Sequence, residues 1–188
     1  MPSVNKAIIP AAGLGKRMRP LSSYLPKPML PLGKKPVLEY IVDEIKASGI
    51  SEILIVTRSD HKAVIDYFDE HENVMIRIDD SAGGPGKAIW EGKSFAGDEP
   101  FLVVFSDAPL SGEKPEQVII KMIKVFESNS ADSVLSVYPV TEEQASSRGI
   151  VRVEENTEFV SQKLFRISDI IEKPDTLRVS NPLASTCR

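Results

Sequence analysis

The sequence of 188 residues lacks features that would place it in several special classes of protein. Its one cysteine, Cys187, cannot form an internal disulfide framework and suits a reducing compartment such as the cytoplasm. The longest apolar run near the start, Ala7 to Leu14, is far shorter than the roughly 20 residues that span a bilayer. Only one lysine precedes that run and no small-residue cleavage site is evident, so the sequence predicts no membrane segment and no signal peptide.

The composition is that of an ordinary globular protein, with 41% hydrophobic and 27% charged residues. The length suits one domain, which can bury most of its core without disulfides or a structural metal ion. A pI near 5.3 argues against general nucleic-acid binding. The sequence leaves the oligomeric state open, and a homo-oligomer is one of the possibilities.

Carboxylates are missing from the first 38 residues, and the first one in the chain is Glu39. The remaining 150 residues carry 16 basic and 27 acidic groups, a net charge of −11. The acid-free segment contains seven basic residues: Lys6, Lys16, Arg17, Arg19, Lys27, Lys34 and Lys35. Positive charge gathered at one end of an acidic chain is typical of a site for a small polyanion, such as a nucleoside triphosphate.

Short apolar runs alternate with segments of helical period. Leu38, Ile41, Val42 and Ile45 form an apolar stripe at i, i+3, i+4 and i+7, which predicts a helix that ends at Gly49. Further helices are predicted over Lys62–Phe68, over Gly86–Phe95, and around Ile119–Phe126 with Pro115 in its first turn. Buried strands are predicted over Ala7–Ala11, Ile53–Val56, Val74–Ile78, Phe101–Phe105 and Val134–Val137.

The strand–helix alternation predicts an α/β fold, with a Rossmann-like, mostly parallel sheet flanked by helices. After Pro139 the pattern changes, and Ile150–Val153 and Leu164–Ile171 are predicted strands of a second layer. Ligands of open parallel sheets bind at the carboxyl ends of the strands. This rule selects the loops Ala12–Met18, Asp79–Gly86 and Ser106–Pro109.

The glycine turn after the first strand matches neither common phosphate-binding motif. A P-loop would need glycine at Pro10 and Ser or Thr at Arg17, and a dinucleotide fingerprint would need glycine at Met18. What remains is a turn around Gly13 and Gly15 whose backbone amides can approach a phosphate, with Arg17 as a bidentate clamp. The alternative is a tight turn with exposed cations.

Lys27 stands between Pro26 and Pro28, which should hold the backbone near an extended form. That would preset Lys27 as a point charge for phosphate, although such a segment can equally be a rigid connector. Asp107 follows a predicted buried strand at the ligand edge, which suits a Mg²⁺ ligand. The alternative there is a turn-forming Asp before Pro109.

The glycine-rich segment after Asp79 permits close backbone approach to a flat ligand, or is a flexible loop that leads into a helix at Gly86. Glu172 and Lys173, taken alone, indicate a solvated turn. His61 and His71 belong to no Cys/His cluster and are predicted to be surface residues.

Taken together, these motifs resemble the sugar-phosphate nucleotidyltransferases, and within them the UTP–glucose-1-phosphate uridylyltransferase branch. The first two matching segments are highly specific in combination, and the later ones support them. The matching segments, in family order, are Lys6–Met18, Pro26–Leu32, Gly84–Ile89, Asp107, Arg148–Val151 and Ile171–Pro174.

The resemblance implies a reaction in which a sugar-1-phosphate oxygen attacks the nucleotide α-phosphorus and expels pyrophosphate, with Mg²⁺ as cofactor. It implies nucleotide contacts from the first strand end and the later glycine loop, and catalytic cations on the phosphates. The implied residues are Arg17, Lys27 and Lys173 for catalysis; Ala11, Ala12, Gly13, Gly15, Asp79 and Gly84 for nucleotide; Gly149 and Glu172 for sugar; and Asp107 for metal. Residues 1–140 would be the nucleotide-binding part of one domain, and 141–188 the start of its sugar-binding part.

Two departures from the family pattern matter. Asp79 stands where the family has a base-reading Gln, and a carboxylate accepts hydrogen bonds but does not donate them, so the base is open between uracil, thymine and guanine. Family members also continue beyond the position matched by Arg188, with a second metal-binding Asp, so we expect this chain to bind nucleotide and its turnover to be slow or absent. The alternatives are a nucleotide-binding regulatory homologue and a same-fold transferase with another base or phosphorylated acceptor.

Overall fold

The computed structural model describes residues 4–81, 83–154, 164–174 and 183–185. Ala82 and Cys187 lie outside the described residues. The chain divides into two compact units, Met1–Val134 and Leu135–Arg188. In the described part of the chain, no helix is both long and apolar enough to cross a membrane.

The first unit alternates strands and helices as the sequence pattern predicts. Its elements are β1 (Lys6–Pro10), β2 (Pro31–Leu32), β3 (Lys35–Pro36), α1 (Val37–Ala47), β4 (Glu52–Thr57), α2 (Lys62–Phe68), β5 (Val74–Ile78), α3 (Gly84–Glu91), α4 (Lys93–Ala96), β6 (Phe101–Val103) and α5 (Glu116–Asn129). Four of the strands form a parallel sheet in the order β5-β4-β1-β6, which confirms the predicted α/β fold.

The parallel sheet is covered on both faces, which is why its strands are continuous apolar runs. On one face, Ile9 and Ile55 pack with the apolar stripes of α1 and α5, represented by Ile41 and Ile119. The other face is smaller, and there Ile8 and Leu54 pack with Ala88 and Ala96 on α3 and α4. Because β1 is a central strand, the loop that follows it lies in the middle of the carboxyl edge.

The helix boundaries follow local chemistry. The stripe that predicts α1 is buried, and the helix ends at Ser48 before Gly49, which has a φ of +96°. Pro115 is the residue just before α5 rather than in its first turn. The segment Gly86–Phe95 is helical as predicted, except that it forms two helices, α3 and α4, separated by Gly92. A Cβ on Gly92 would lie 2.5 Å from Ile8 Cδ1, so the absence of a side chain at this position lets the chain approach β1 closely.

Two strand predictions differ from the structure. β6 ends at Val103 rather than Phe105, although the Val104 N–H still donates to the Ile8 carbonyl at 3.2 Å. The predicted buried strand Val134–Val137 is wrong: the strand β7 is Val137–Pro139 and belongs to the second unit. It pairs with a segment more than 40 residues later in the chain, which an apolar run alone cannot reveal.

The second unit contains β7, α6 (Glu142–Ala145), β8 (Gly149–Val153), β9 (Ile167–Glu172) and β10 (Leu183–Ser185). Its strands form an antiparallel sheet in the order β7-β10-β8-β9. The strands predicted over 150–153 and 164–171 are confirmed with shifted ends. Ala145, Ile150 and Ala184 form its small core. Thr141 and Gln144 form a capping box that holds the start of α6 against this core.

Candidate active site

The loop after β1 is a narrow turn with an open backbone. It begins at buried Ala11, whose N–H donates to the Val56 carbonyl at 2.7 Å. Gly15 has left-handed backbone angles, φ 58° and ψ 26°, and its carbonyl accepts from Ser22 Oγ at 2.8 Å. A Cβ on Gly15 would lie 3.0 Å from the Ser22 Cβ, so both backbone angle and space favour glycine. Gly13 is exposed, and no atom lies within 4 Å of the position that a Cβ on it would take. Ala12, which lies between Ala11 and Gly13, is half-buried.

Arg17 lies in the 3-10 turn Lys16–Met18 that follows Gly15. Its side chain is exposed, and within the described residues it has no hydrogen bond or ion pair. The guanidinium therefore retains its full set of donors for an anion.

Lys27 lies beside the glycine turn, since its Cβ would be 3.7 Å from a Cβ placed on Gly15. The extended backbone predicted for this segment is wrong, because Lys27–Met29 forms a 3-10 turn with Pro28 in its first turn, where the fixed φ of proline fits a helix. Pro28 and Met29 are buried and anchor the turn to the core. The turn that carries Lys27 is thus anchored to the core, and the use of this lysine as a point charge for phosphate stays a prediction.

Lys27 and Asp107 form an ion pair through Nζ and Oδ2. Asp107 lies in the loop after β6, so the pair joins two loops at the carboxyl edge of the sheet. The side chains are 41% and 39% exposed, and an ion pair so exposed contributes at most about 1 kcal/mol. A competing phosphate or metal ion can therefore separate the two side chains at little cost.

Asp107 is the residue that could hold a metal ion. In the described part of the chain, no three His, Cys, Asp or Glu side chains are arranged as a metal site. A single exposed carboxylate fits Mg²⁺ shared with a nucleotide, because this ion keeps several waters and commonly takes one or two carboxylates plus phosphate oxygens. It does not fit a closed structural metal site.

Asp79 follows β5 at the same edge and is buried, with 7% of its surface exposed. Its N–H donates to the Thr57 carbonyl at 2.7 Å, and its Oδ1 accepts from the N–H and the hydroxyl of Ser81. Within the described residues no hydrogen bond reaches its Oδ2, which keeps its acceptor capacity. Gly84 begins α3 with a φ of +75°, a backbone angle that few other residues adopt. A role for these two residues in base recognition stays a prediction.

His61 is buried, so the expectation that both histidines are surface residues is wrong for this one. Its Nδ1 lies 3.2 Å from Thr57 Oγ1 at the end of β4. Burial lowers the pKa of His61 below its ordinary value of 6.5, and this outweighs Asp60, the Ala11 backbone and Asp80, which raise it. The signal was available: His61 lies in the loop after β4, a central strand, whose carboxyl end belongs to the ligand edge.

In the second unit, Gly149 and Glu172 are register partners across β8 and β9. A Cβ on Gly149 would lie 3.1 Å from Glu172 Oε2, so the carboxylate lies over the glycine. Lys173 has a φ of 44°, its N–H donates to the Arg148 carbonyl at 3.0 Å, and its Nζ is 3.0 Å from Glu172 Oε1. The structure thus brings together the three residues predicted for the sugar side, and their role stays a prediction.

Comparison with known protein families identifies one model, described as nucleotidyl transferase, that matches residues 6–186. A UTP–glucose-1-phosphate uridylyltransferase of Mycoplasma pneumoniae is 37% identical over all of this chain and 72% of the relative. A putative UTP–glucose-1-phosphate uridylyltransferase of Bacillus subtilis strain 168 is 36% identical over 91% of this chain and 69% of the relative.

Solved structures give the same result. A UDP-glucose pyrophosphorylase complexed with UDP-glucose aligns with a TM-score of 0.85 and 28% identity, over 97% of this chain and 73% of that one. A UTP-bound UGPase from Acinetobacter baumannii aligns with a TM-score of 0.82 and 25% identity, over 98% of this chain and 73% of that one. This chain is therefore shorter than these proteins.

Proposed function

The chain belongs to the nucleotidyl transferase family, and we propose that it transfers a uridylyl group from UTP to glucose 1-phosphate, with release of pyrophosphate. The family model and the 37% identical relative confirm the family resemblance seen in the sequence. The observation that carries the proposal is the convergence of the Gly15 turn, Lys27 and Asp107 at the carboxyl edge of the parallel sheet. The names of the two relatives and of the solved neighbours support uridine and glucose as the specific substrates.

The cationic groups would bind the triphosphate. Arg17, which has no partner among the described residues, would clamp phosphate oxygens in a bidentate manner. Lys27 would contribute a point charge beside the turn, and the backbone around Ala11, Ala12, Gly13 and Gly15 would approach the phosphates closely. Catalysis of this kind needs positioning and charge neutralisation more than covalent chemistry from the protein.

In the proposed reaction, a phosphate oxygen of glucose 1-phosphate forms a bond to the α-phosphorus of UTP. The bond from that phosphorus to the oxygen bridging to the β-phosphorus breaks, and pyrophosphate leaves with the electron pair. No net proton transfer is required, since the attacking oxygen is already ionised. The two reactants are both anions, so Arg17 and Lys27 would offset their repulsion.

Asp107 would hold Mg²⁺ together with phosphate oxygens and water. When bound, the ion would neutralise charge on the phosphates that accumulates as pyrophosphate departs. Asp107 pairs with Lys27 in the absence of ligand. If Asp107 bound Mg²⁺ instead, Lys27 would be released to bind phosphate.

The remaining residues would provide specificity. Gly84 would lie against the base and ribose, and Asp79 would accept a hydrogen bond from the base. Gly149 and Glu172 would contact the sugar hydroxyls, and Lys173 the sugar phosphate. A cytoplasmic location, suggested by the single cysteine in the sequence, completes the proposal.

Pyrophosphate release tests this function directly. The chain is incubated with Mg²⁺, glucose 1-phosphate and each of UTP, dTTP, GTP, CTP and ATP in turn. UTP should give the fastest release, and Asp107→Asn should reduce it by about 100-fold, the effect of removing one group that stabilises transition-state charge. UTP binding without release, in any buffer that supports a relative assayed in parallel, would instead favour the regulatory alternative.

A further inference from the structure

His61 occupies a position that the proposed chemistry does not use. It lies in the loop between β4 and α2, and 8% of its surface is exposed. Its backbone carbonyl accepts from the Val64 N–H at 2.9 Å, which fixes it at the start of α2. The other histidine of the chain, His71, has a half-buried side chain whose Nε2 lies 3.2 Å from Glu39 Oε2. The two histidines therefore differ in environment, and only the first lies at the carboxyl edge.

The ring of His61 contacts the ends of two neighbouring strands. Its Nδ1 is 3.2 Å from Thr57 Oγ1, at the last residue of β4. The backbone of Ala11, the first residue after β1, raises the pKa of the ring, so it lies close to His61. Ala11 is also held on its other side, because its N–H donates to the Val56 carbonyl at 2.7 Å.

Thr57 extends this contact to a third strand end. Its side chain is fully buried, and its backbone carbonyl accepts from the Asp79 N–H at 2.7 Å. Asp79 in turn holds Ser81 through its carboxylate. Hydrogen bonds thus lead from His61 through Thr57 to Asp79, and the backbone of Ala11 lies close to the same ring.

We propose that His61 is a positioning residue that holds the phosphate-binding loop after β1 in register with the base-binding loop after β5. This rests on the proposed function, which assigns phosphate to the first loop and base to the second. The two loops belong to strands separated by β4 in the sheet, so a side chain from the β4 loop is well placed to join them. His61 would not touch the reacting atoms, and its effect on nucleotide binding would be exerted through Ala11 and Asp79.

The protonation state of the ring should matter to this role. Arg58 and Asp60 on the same loop and Asp80 on the neighbouring loop are the charged groups that act on it, and burial is the dominant cause of its lowered pKa. The folded protein therefore favours the neutral ring, and the unfolded chain takes up a proton at a higher pH than the folded one. Stability from this group is present above about pH 6.5 and is lost as the pH falls toward the lowered pKa.

The first experiment is independent of any ligand. Amide hydrogen exchange is measured on the ligand-free protein for His61→Ala, His61→Gln and His71→Gln. His61→Ala should speed exchange at the amides of Ala11 and Asp79 by roughly tenfold, as expected when local opening becomes easier. His61→Gln, which can donate to one partner and accept from the other, should restore most of the protection, and His71→Gln should resemble the wild type.

The second experiment measures UTP affinity between pH 8 and pH 5. His61→Ala should weaken binding by roughly tenfold, the range for loss of a buried hydrogen bond, and His61→Gln by less than about threefold. Wild type and His71→Gln should lose affinity more steeply than His61→Gln as the pH falls through the lowered pKa of His61, which lies below 6.5. The phosphates of the nucleotide also titrate there, so the difference between His61→Gln and wild type is the quantity compared.

The inference would be overturned if His61→Ala folds and the amides of Ala11 and Asp79 exchange at the same rate as in the wild type. This holds whatever the nucleotide affinities are. If His61→Ala does not fold, a His61→Gln variant with the full pH dependence of the wild type would overturn it. A wild-type protein that binds no nucleotide would instead contradict the proposed function, and the exchange experiment would still decide whether His61 holds the two loops together.

Discussion

The sequence predicts a phosphate partner for two cations, Arg17 in the first unit and Lys173 in the second. The two side chains differ in the hydrogen bonds and ion pairs that they form within the protein. Arg17 follows the glycine turn and, within the described residues, has no hydrogen bond or ion pair. Lys173 follows β9, and its Nζ is 3.0 Å from the carboxylate of the preceding residue, Glu172. Before any ligand arrives, Arg17 has no partner in the part of the chain that the structure describes, whereas the charge of Lys173 is already partly neutralised.

Lys27 is intermediate between these two. It pairs with Asp107, but that carboxylate is the proposed metal ligand and would be drawn away when metal and nucleotide bind. The comparison suggests that the parallel sheet presents its strongest anion site at the loop after its central strand. At that loop the glycine backbone adjoins Arg17, which has no partner among the described residues, whereas Lys27 and Lys173 would have to leave a carboxylate before binding phosphate.

The largest effect should come from Arg17→Ala. Loss of a charged hydrogen-bonding group with no competing partner should weaken UTP binding by roughly 1.5–3 kcal/mol. Because the side chain is exposed, the free energy of unfolding should change by less than about 0.5 kcal/mol. Calorimetric titration at fixed ionic strength measures the first quantity and urea unfolding the second. Lys46→Ala, which removes an exposed cation from the last turn of α1, is the charge-matched control, and equal losses in both variants would show that only net charge matters.

Lys27→Ala should weaken UTP binding less, by about 1–2 kcal/mol, because the wild-type lysine must first leave Asp107. The same competition gives a second measurement. Asp107→Asn should tighten binding of UTP in the absence of metal by up to about 1 kcal/mol, and it should remove the gain that Mg²⁺ provides. A double-mutant cycle with both substitutions measures the coupling. Additive effects in metal-free buffer would show that the pair does not restrain Lys27.

Asp79→Gln should change base preference rather than overall affinity. An amide both donates and accepts, so it can pair with uracil or thymine at two positions, whereas the carboxylate accepts only. The ratio of UTP to GTP affinity should rise by about 1 kcal/mol, the net value of one hydrogen bond. Titration of all four ribonucleotides before and after the change tests this, with Asp80→Gln as the neighbouring control. An unchanged ratio would place Asp79 outside the base site.

The smallest effect should come from Lys173→Ala. Its partner Glu172 is 70% exposed and already competes for the charge, so we expect a loss of about 0.5–1 kcal/mol in glucose 1-phosphate binding. UTP binding should stay unchanged. Glu172→Gln should release Lys173 from its ion pair and so increase the contribution of this lysine to glucose 1-phosphate binding. A loss in Lys173→Ala as large as that in Arg17→Ala would contradict the proposed ranking of free and paired cations.

Much of the first unit could be predicted from local pattern. The stripe from Leu38 to Ile45 forms a buried helix, and the run from Ala7 onward forms a central strand, because helical and strand periods follow from backbone geometry. Gly15 was identified as a turn residue and has the left-handed angles that glycine adopts most readily. Such properties depend on residues close together in sequence.

The parallel α/β architecture, the glycine turn and the cations around it can be predicted from the amino-acid sequence, because all of these arise from local composition and period. Three features become visible only in the folded chain: Lys27 pairs with Asp107, His61 is buried between strand ends, and the strand near Val137 joins the second sheet. Each of these depends on residues from separate segments meeting in space. Which segments meet is set by the packing of the whole chain, and no single segment carries that information.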